Sequence, residues 1–175
     1  MIRLAGRGRG ADGRLVTWTL AEGRRGRRWR EVVADRGLAG WSLLYETDPA
    51  GRFSHLELAT AQGLATLHPE ADGTLHGNVV DADGVRHIEG LPFPADAVLV
   101  VVGSTVAGAA VAGWVAGHAP PAAGIPAVVL DPATLGLRAR PFASGDVVPV
   151  DSDGVPQLVD ATVWPLEREA EADRG

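Results

Sequence analysis

Residues Ala97 to Gly117 read Ala-Val-Leu-Val-Val-Val-Gly-Ser-Thr-Val-Ala-Gly-Ala-Ala-Val-Ala-Gly-Trp-Val-Ala-Gly, a stretch without a charged side chain. Its 21 residues are enough to cross a bilayer as one helix. However, ten of them are alanine or glycine, whereas strong membrane insertion depends on Leu, Ile and Phe. The composition therefore favours a buried part of a globular domain over a membrane span.

The same stretch changes character in the middle. Ala97 to Val102 is a β-branched run that is typical of a buried strand. Gly103 interrupts it, and Ser104 can act as the N-cap of a helix. The residues that follow predict a small-residue helix over 105–116, which ends near Gly117 as a C-cap. The decisive stretch is thus interpreted as a strand followed by a helix.

Most of the remaining chain shows short apolar runs about ten residues apart, which is the pattern of an antiparallel meander or barrel. Four Asp-Gly pairs are strong hairpin signals: Asp12-Gly13, Asp72-Gly73, Asp83-Gly84 and Asp153-Gly154. The expected fold is mainly β (α+β), a strongly curved antiparallel sheet forming a half-barrel or open barrel, with one central helix near 105–116. We expect that helix to cover the concave face of the sheet.

Length and composition limit the organisation of the chain. With 175 residues one domain is the default, and 14–166 is predicted as a single β-rich domain. The Gly/Arg-rich segment 1–13 and the charged tail 167–175 are predicted to be disordered. The chain has no cysteine, which excludes disulfides and cysteine-based metal sites or nucleophiles. The N-terminus lacks the apolar core of a signal peptide, so a cytoplasmic location is expected.

Arginine is concentrated in one part of this acidic chain, whose net charge is −6. Five arginines occur within seven residues: Arg24, Arg25, Arg27, Arg28 and Arg30. They could clamp phosphates or an anionic lipid head group, with Trp29 stacking beside them. A solvated hairpin loop paired with nearby acids, and non-specific binding to nucleic acid or a membrane surface, are the alternatives. The acidic remainder argues against a dedicated nucleic-acid binder.

Other motifs give weaker signals. Three histidines on successive predicted strands, His68, His76 and His87, could converge on zinc or iron, or could be scattered surface residues. The acidic turns 81–84 and 151–154 are interpreted as hairpins, because neither carries the twelve-residue calcium pattern. No nucleophile elbow or phosphate loop is present. We therefore predict no catalytic residue, no metal site and no cofactor, and a protein that is not an enzyme.

The run Trp41-Ser42-Leu43-Leu44-Tyr45-Glu46-Thr47-Asp48, the Arg52 strand, the Asp72-Gly73 hairpin and the closing Val159-Asp160-Ala161-Thr162-Val163-Trp164 resemble the glycolipid-binding domain family. The resemblance covers about residues 15 to 166 and implies a curved antiparallel half-barrel, similar to bacterial carriers of lipoproteins and lipids. It also implies an apolar or amphipathic ligand. The chain differs from the family at 104–117, where Ala, Gly and Val replace a polar segment.

These observations combine into two main functional hypotheses. The first is a non-enzymatic binding protein that holds a lipid or glycolipid in a cleft between curved sheet and helix, with peripheral membrane contact left open. The arginine cluster would meet the head group, and the apolar part would be bound by Val106, Ala110, Trp114, Trp41 and Tyr45. The second is a closed structural or protein-interaction domain without a small-molecule site. An enzyme using the histidines or acidic turns is a third alternative, and the oligomeric state is not predicted.

Overall fold

The computed structural model of the protein describes residues 2–10, 12–35, 38–118 and 124–166. A nine-stranded antiparallel sheet, open at both edges, dominates it, with strand order β12-β1-β2-β3-β4-β5-β6-β7-β8. A three-stranded sheet has the order β11-β10-β9. The elements are β1 (Ile2–Arg9), β2 (Leu15–Gly23), β3 (Gly26–Asp35), β4 (Leu38–Thr47), β5 (Phe53–Thr60), β6 (Gly63–Pro69), β7 (Thr74–Asp81), β8 (Gly84–Pro92), β9 (Val98–Val101), α1 (Thr105–Ala116), β10 (Pro126–Asp131), β11 (Gly136–Pro141) and β12 (Val159–Pro165). The mainly β fold with one helix in the described ranges confirms the predicted class.

Asp-Gly turns connect several neighbouring strands of the large sheet. In the turn between β6 and β7, Asp72 Oδ1 accepts a hydrogen bond from the backbone N–H of Thr74 at 3.0 Å, and Gly73 has φ +81°. Only glycine adopts such a left-handed conformation at little cost. Asp12 accepts in the same way from the N–H of Arg14, again at 3.0 Å. Local turn chemistry therefore sets the hairpin connections that the sequence predicted.

The N-terminal segment corrects one prediction. Residues 2–9 form strand β1, which pairs with β2 along its whole length and with β12 on its other side. The glycines within it are needed for packing, because a Cβ at Gly6 would overlap the Trp18 ring and one at Gly8 would lie 2.6 Å from Leu158 Cβ. The Gly/Arg composition is thus compatible with a strand over residues 2–9, and for these residues the prediction of disorder is wrong. The predicted disordered tail, 167–175, lies outside the described residues.

Residues 97–117 form the predicted strand and helix, but the connection that follows them was not predicted. Strand β9 is buried throughout, and α1 runs from Thr105 to Ala116 between Ser104 as N-cap and Gly117 as C-cap. Beyond the helix, β10 pairs with β9 in parallel, with Val128 opposite Leu99. The three elements form a β-α-β unit packed onto an otherwise antiparallel protein.

The core is divided by the small sheet. Alternate residues of β9 belong to different apolar clusters: Leu99 and Val101 pack with the tryptophans of the large sheet, whereas Val98 and Val100 pack with Val111 and Trp114 of α1. The small sheet therefore covers much of the inner face of the large sheet, a role that the sequence assigned to the helix alone. The first turn of α1 also packs in the cluster that contains the tryptophans of the large sheet, through Val106 and Ala107.

Candidate functional site

The start of α1 is anchored to the large sheet by a buried carboxylate. Glu31 on β3 is 1 % exposed and accepts hydrogen bonds from Ser104 Oγ at 2.6 Å and from the backbone N–H of Thr105 at 2.9 Å. Ser104 Oγ in turn accepts from the N–H of Ala107 at 3.0 Å. Burial raises the pKa of Glu31 to about 7, although these hydrogen bonds act in the opposite direction. This contact fixes the position of the helix on the sheet.

The interior between α1 and the sheet is filled. The space enclosed by residues such as Phe53, Ala97 and Trp114 measures about 10 Å³, which is close to the least that can hold one water molecule. Tyr45 is 2 % exposed and donates its hydroxyl to the Leu99 carbonyl oxygen at 2.9 Å, and burial raises the pKa of this phenol. Val106 has no exposed surface. An acyl chain therefore has no room among these residues in this conformation.

A larger cleft lies beside this interior, on the side of α1 that faces away from the filled space. It measures about 430 Å³, within the size range of small-molecule sites. Four segments form its walls: the β2–β3 hairpin, the end of β4 with the following turn, α1, and the turn 150–154. The lining residues are Glu22, Arg27, Trp29, Thr47, Pro49, Ala50, Gly51, Ala109, Ala110, Gly113, Trp114, Ala116, Val150, Asp151, Ser152, Asp153 and Gly154. We call this the tryptophan cleft.

Buried polar groups without partners coincide with the tryptophan cleft. Among the described residues, the buried side-chain polar atoms that lack a hydrogen bond are Glu22 Oε2, Trp29 Nε1, Thr47 Oγ1 and Trp114 Nε1. All four residues line this cleft. Glu22 Oε2 forms an ion pair with Arg27 Nε at 3.0 Å, so the two indole N–H groups and the Thr47 hydroxyl are the unpartnered ones. Leaving such a group unpaired costs about 1–3 kcal/mol, and here the cost is concentrated at one place.

A second cleft, of about 460 Å³, adjoins the first at the tip of the β2–β3 hairpin. We call it the arginine cleft, because Arg24, Arg25, Arg27 and Arg28 of the predicted cluster line it. Arg27 is paired with Glu22, and Arg28 with Glu46. Within the described ranges no ion pair involves Arg24 or Arg25, which are exposed in the turn of the hairpin.

The predicted site residues fall into several environments. Ala110 and Trp114 line the tryptophan cleft, and four of the five arginines line the arginine cleft. Arg30 is exposed, lies opposite Leu44 of β4 and borders neither cleft. Trp41 is 5 % exposed and borders a separate depression of about 360 Å³ with Arg14. The prediction thus located part of the helix wall and most of the cationic wall.

The histidines and acidic turns form no metal site in the part of the chain that the structure describes. His68 and His76 are neighbours across β6 and β7, with ring centroids 6.5 Å apart, and His87 instead lies 2.7 Å from Asn78 Oδ1. In the turn 151–154, Asp151 Oδ1 accepts from two backbone N–H groups. These residues are explained by strand pairing and turn geometry.

Sequence reasoning did not identify Glu31 or Thr47, and it did not place the turn 151–154 beside the hairpin of β2 and β3. A signal for Glu31 was present, because alternation along β3 places it between Trp29 and Val33 on the inward face. An acidic residue at an inward-facing strand position between two buried apolar residues indicates a buried hydrogen-bond contact. The turn 150–154 lies more than a hundred residues from the hairpin it faces, so no local pattern reports their proximity.

Comparison with known proteins finds no match for this chain among protein-family models, curated proteins or solved structures. Within the described ranges, no helix has the length and apolar character needed to span a membrane.

Proposed function

We propose that the protein is a non-enzymatic binding protein for an amphipathic ligand, with a lipid or glycolipid as the ligand class. The observation that carries this proposal is the junction of the two clefts. A cationic surface at the hairpin tip adjoins a pocket lined by two tryptophans and by the alanines and glycine of α1. Arginine suits an anionic head group, and small side chains let apolar matter approach the helix backbone.

The proposal differs from the sequence hypothesis in where the ligand lies. The interior behind Tyr45 and Phe53 is filled, so the ligand is placed on the outer side of α1, against Ala110, Gly113 and Trp114. With about 430 Å³ available, this cleft suits a head group and the first part of a tail. A longer chain would continue along the protein surface or remain in a membrane.

A steric block tests this placement. A Cβ built at Gly113 meets no atom within 4 Å, so the side chain of Gly113→Leu starts in open space and extends into the tryptophan cleft. Gly145→Leu is the matched control, because Gly145 is equally unobstructed and does not line either cleft. Both variants are incubated with a total lipid extract, and bound species are detected by native mass spectrometry followed by organic extraction.

We expect the unmodified chain and Gly145→Leu to retain a lipid-sized species, and Gly113→Leu to lose it without a loss of thermal stability. Equal retention by both variants would show that the ligand does not occupy this cleft. A clean apo mass for the unmodified chain would contradict lipid binding altogether.

That last outcome would favour the second candidate, a closed protein-interaction domain. The nearly filled interior supports it, as do exposed apolar side chains on the two edge strands of the large sheet. Val85 on β8 is 60 % exposed and Val159 on β12 is 62 % exposed. Exposed sheet edges with apolar side chains readily pair with another chain. Replacing either valine with lysine would then abolish partner capture while leaving the clefts intact.

A further inference from the structure

The arginine cleft and the tryptophan cleft share a wall and carry opposite charge. Glu22, Arg27 and Thr47 line both of them. The arginine cleft has four arginines against two glutamates. The tryptophan cleft has one arginine against Glu22, Asp151 and Asp153. A ligand that spans both must therefore present an anionic group on one side and a neutral or cationic group on the other.

Arg27 is the side chain that separates the two compartments. Its Nε pairs with Glu22, on the neighbouring strand, at 3.0 Å. Its other end reaches across to the turn 150–154, where a Cβ at Gly154 would lie 2.6 Å from Arg27 Nη1. A side chain at Gly154 would thus displace the guanidinium. Because both residues of the ion pair are about one-third exposed, a competing anion can reach Arg27 from the arginine cleft.

The polar groups of the tryptophan cleft define what the second part of the ligand must offer. The two indole nitrogens can only donate a hydrogen bond, whereas the Thr47 hydroxyl can donate or accept. Trp29, Trp114 and Thr47 are all at least nine-tenths buried and unpartnered. These three atoms are themselves buried, so a ligand reaches them only when the side chains that line the cleft shift. Ligand hydroxyl groups would then satisfy both kinds of partner, because they accept from an indole N–H and donate to Thr47 or to the carboxylates of Asp151 and Asp153. An ammonium group would suit the carboxylates but would leave the indole donors unpaired.

We propose that the two clefts form one site for a phosphorylated polyol or saccharide, with the phosphate bound by Arg24, Arg25 and Arg27 and the hydroxyl groups held between Trp29 and Trp114. This inference rests on the proposed binding function and specifies its ligand. The same chemistry occurs in a free sugar phosphate and in the head group of a phosphoinositide or anionic glycolipid. The ion pair between Arg27 and Glu22 opens as the phosphate binds, which joins the two compartments.

Titration calorimetry on the full chain with three probes tests the composite site: inorganic phosphate, glucose and glucose 6-phosphate. Glucose 6-phosphate is expected to bind at least about tenfold more tightly than either fragment, because only it fills both compartments. Equal affinity for inorganic phosphate would reduce the site to a general anion site and overturn the proposal. Vesicles of phosphatidylcholine with and without phosphatidylinositol distinguish the two sources, since only a lipid head group makes binding depend on the phosphatidylinositol.

Variants separate the two compartments. Arg25→Gln is expected to weaken glucose 6-phosphate binding about tenfold, whereas Arg30→Gln, an exposed arginine outside both clefts, should leave it unchanged. Trp114→Phe removes the N–H and keeps a ring, so it should weaken glucose 6-phosphate several-fold and leave inorganic phosphate unaffected. Equal losses for Arg25→Gln and Arg30→Gln would indicate a general charge effect and contradict the site.

Failure of this inference is distinguishable from failure of the proposed function. If lipid is retained and lost on Gly113→Leu but neither glucose 6-phosphate nor phosphatidylinositol vesicles bind, the ligand chemistry is wrong and the binding function stands. If glucose 6-phosphate binds and no lipid is retained, the protein recognises the free sugar phosphate. If no probe and no lipid bind, both proposals are contradicted.

Discussion

At its N-terminal end α1 is joined to the large sheet through Glu31, Ser104 and Thr105. Both Glu31 carboxylate oxygens and the Ser104 hydroxyl have buried hydrogen-bond partners there. Toward its C-terminal end the same helix presents Gly113 and Trp114 to an open cleft, where the Trp114 indole N–H has no partner. The His118 ring stacks on the Trp114 ring with their centroids 4.4 Å apart, and His118 Nδ1 donates a hydrogen bond to the Trp114 carbonyl oxygen. Neither contact gives the indole N–H a hydrogen-bond partner.

One helix can therefore have a structural end and a binding end. A satisfied buried network rigidifies a structure, whereas an unsatisfied one costs stability that a ligand can recover. The anchored end holds α1 in register on the sheet, and the other end can then line a cleft with small side chains and keep a buried, unpartnered indole donor without the helix shifting. If this division is correct, substitutions at the anchored end should be costly to stability and those at the open end should not.

The largest effect is expected from breaking the anchor. Glu31→Ala removes the acceptor of both the Ser104 hydroxyl and the Thr105 N–H and leaves a cavity, so it should lower the free energy of unfolding by about 2–4 kcal/mol. Urea unfolding near pH 6 measures this loss. A change below about 0.5 kcal/mol, the range of ordinary surface substitutions, would show that the anchor does not hold the helix.

The pH dependence of the anchor is the second prediction. The pKa of Glu31 is raised from 4.5 to about 7 in the folded chain, so between these values the folded state keeps a proton that the unfolded state has lost. Stability should therefore fall as the pH rises through this window, by on the order of 1 kcal/mol per pH unit, and level off above it. Glu31→Gln, which cannot titrate, should remove this slope in a urea series across the window. An identical slope in the two proteins would assign the pH dependence to other groups.

The elements that could be predicted are those with local signals. Ser104, Gly117 and the uncharged run between them define α1 by capping and composition, and Asp-Gly pairs define hairpins. Strand β1 was missed because glycine has a low strand propensity. Gly6 is needed there because the Trp18 ring packs against it, and Trp18 belongs to another strand, so the local sequence does not show this contact. Strict alternation along β5 would place the Phe53 side chain on the same face of the sheet as His55. A register shift between β4 and β5 breaks this alternation, and Phe53 is buried.

The candidate site was predictable only in part, for a similar reason. Trp114 and the arginines stand out in the sequence by composition. Their relation to Thr47 and to the turn at Gly154 depends on pairings across four separate segments, including the parallel contact of β9 with β10. Such long-range pairings have no local pattern, so the cleft was expected in the filled interior instead of on the outer side of the helix.

The cap itself gives a smaller expected effect. Ser104→Ala removes the acceptor of the Ala107 N–H and the hydroxyl donor to Glu31, which should cost about 1–2 kcal/mol. Ser104→Asp is the informative comparison, because it restores a cap but places a second carboxylate against Glu31. If Asp rescued the stability fully, the contact with Glu31 would contribute little and the cap alone would explain the loss.

The smallest effect comes from two glycines within α1 that occupy its two environments. At Gly113 a Cβ meets no atom within 4 Å, so Gly113→Ala should stabilise the protein by about 0.5–1 kcal/mol through helix propensity alone. At Gly108 the Cβ would lie 3.2 Å from Val148 Cγ1 and 3.3 Å from Val148 N. Gly108→Ala should therefore gain less stability, because Val148 must shift to make room for the methyl group. Thermal unfolding should therefore place Gly113→Ala above the unmodified chain and Gly108→Ala below Gly113→Ala. A higher thermal stability for Gly108→Ala than for Gly113→Ala would contradict this. It would mean that Gly113 is covered in solution and that Val148 moves away from Gly108, so that the two ends of the helix would have the opposite roles.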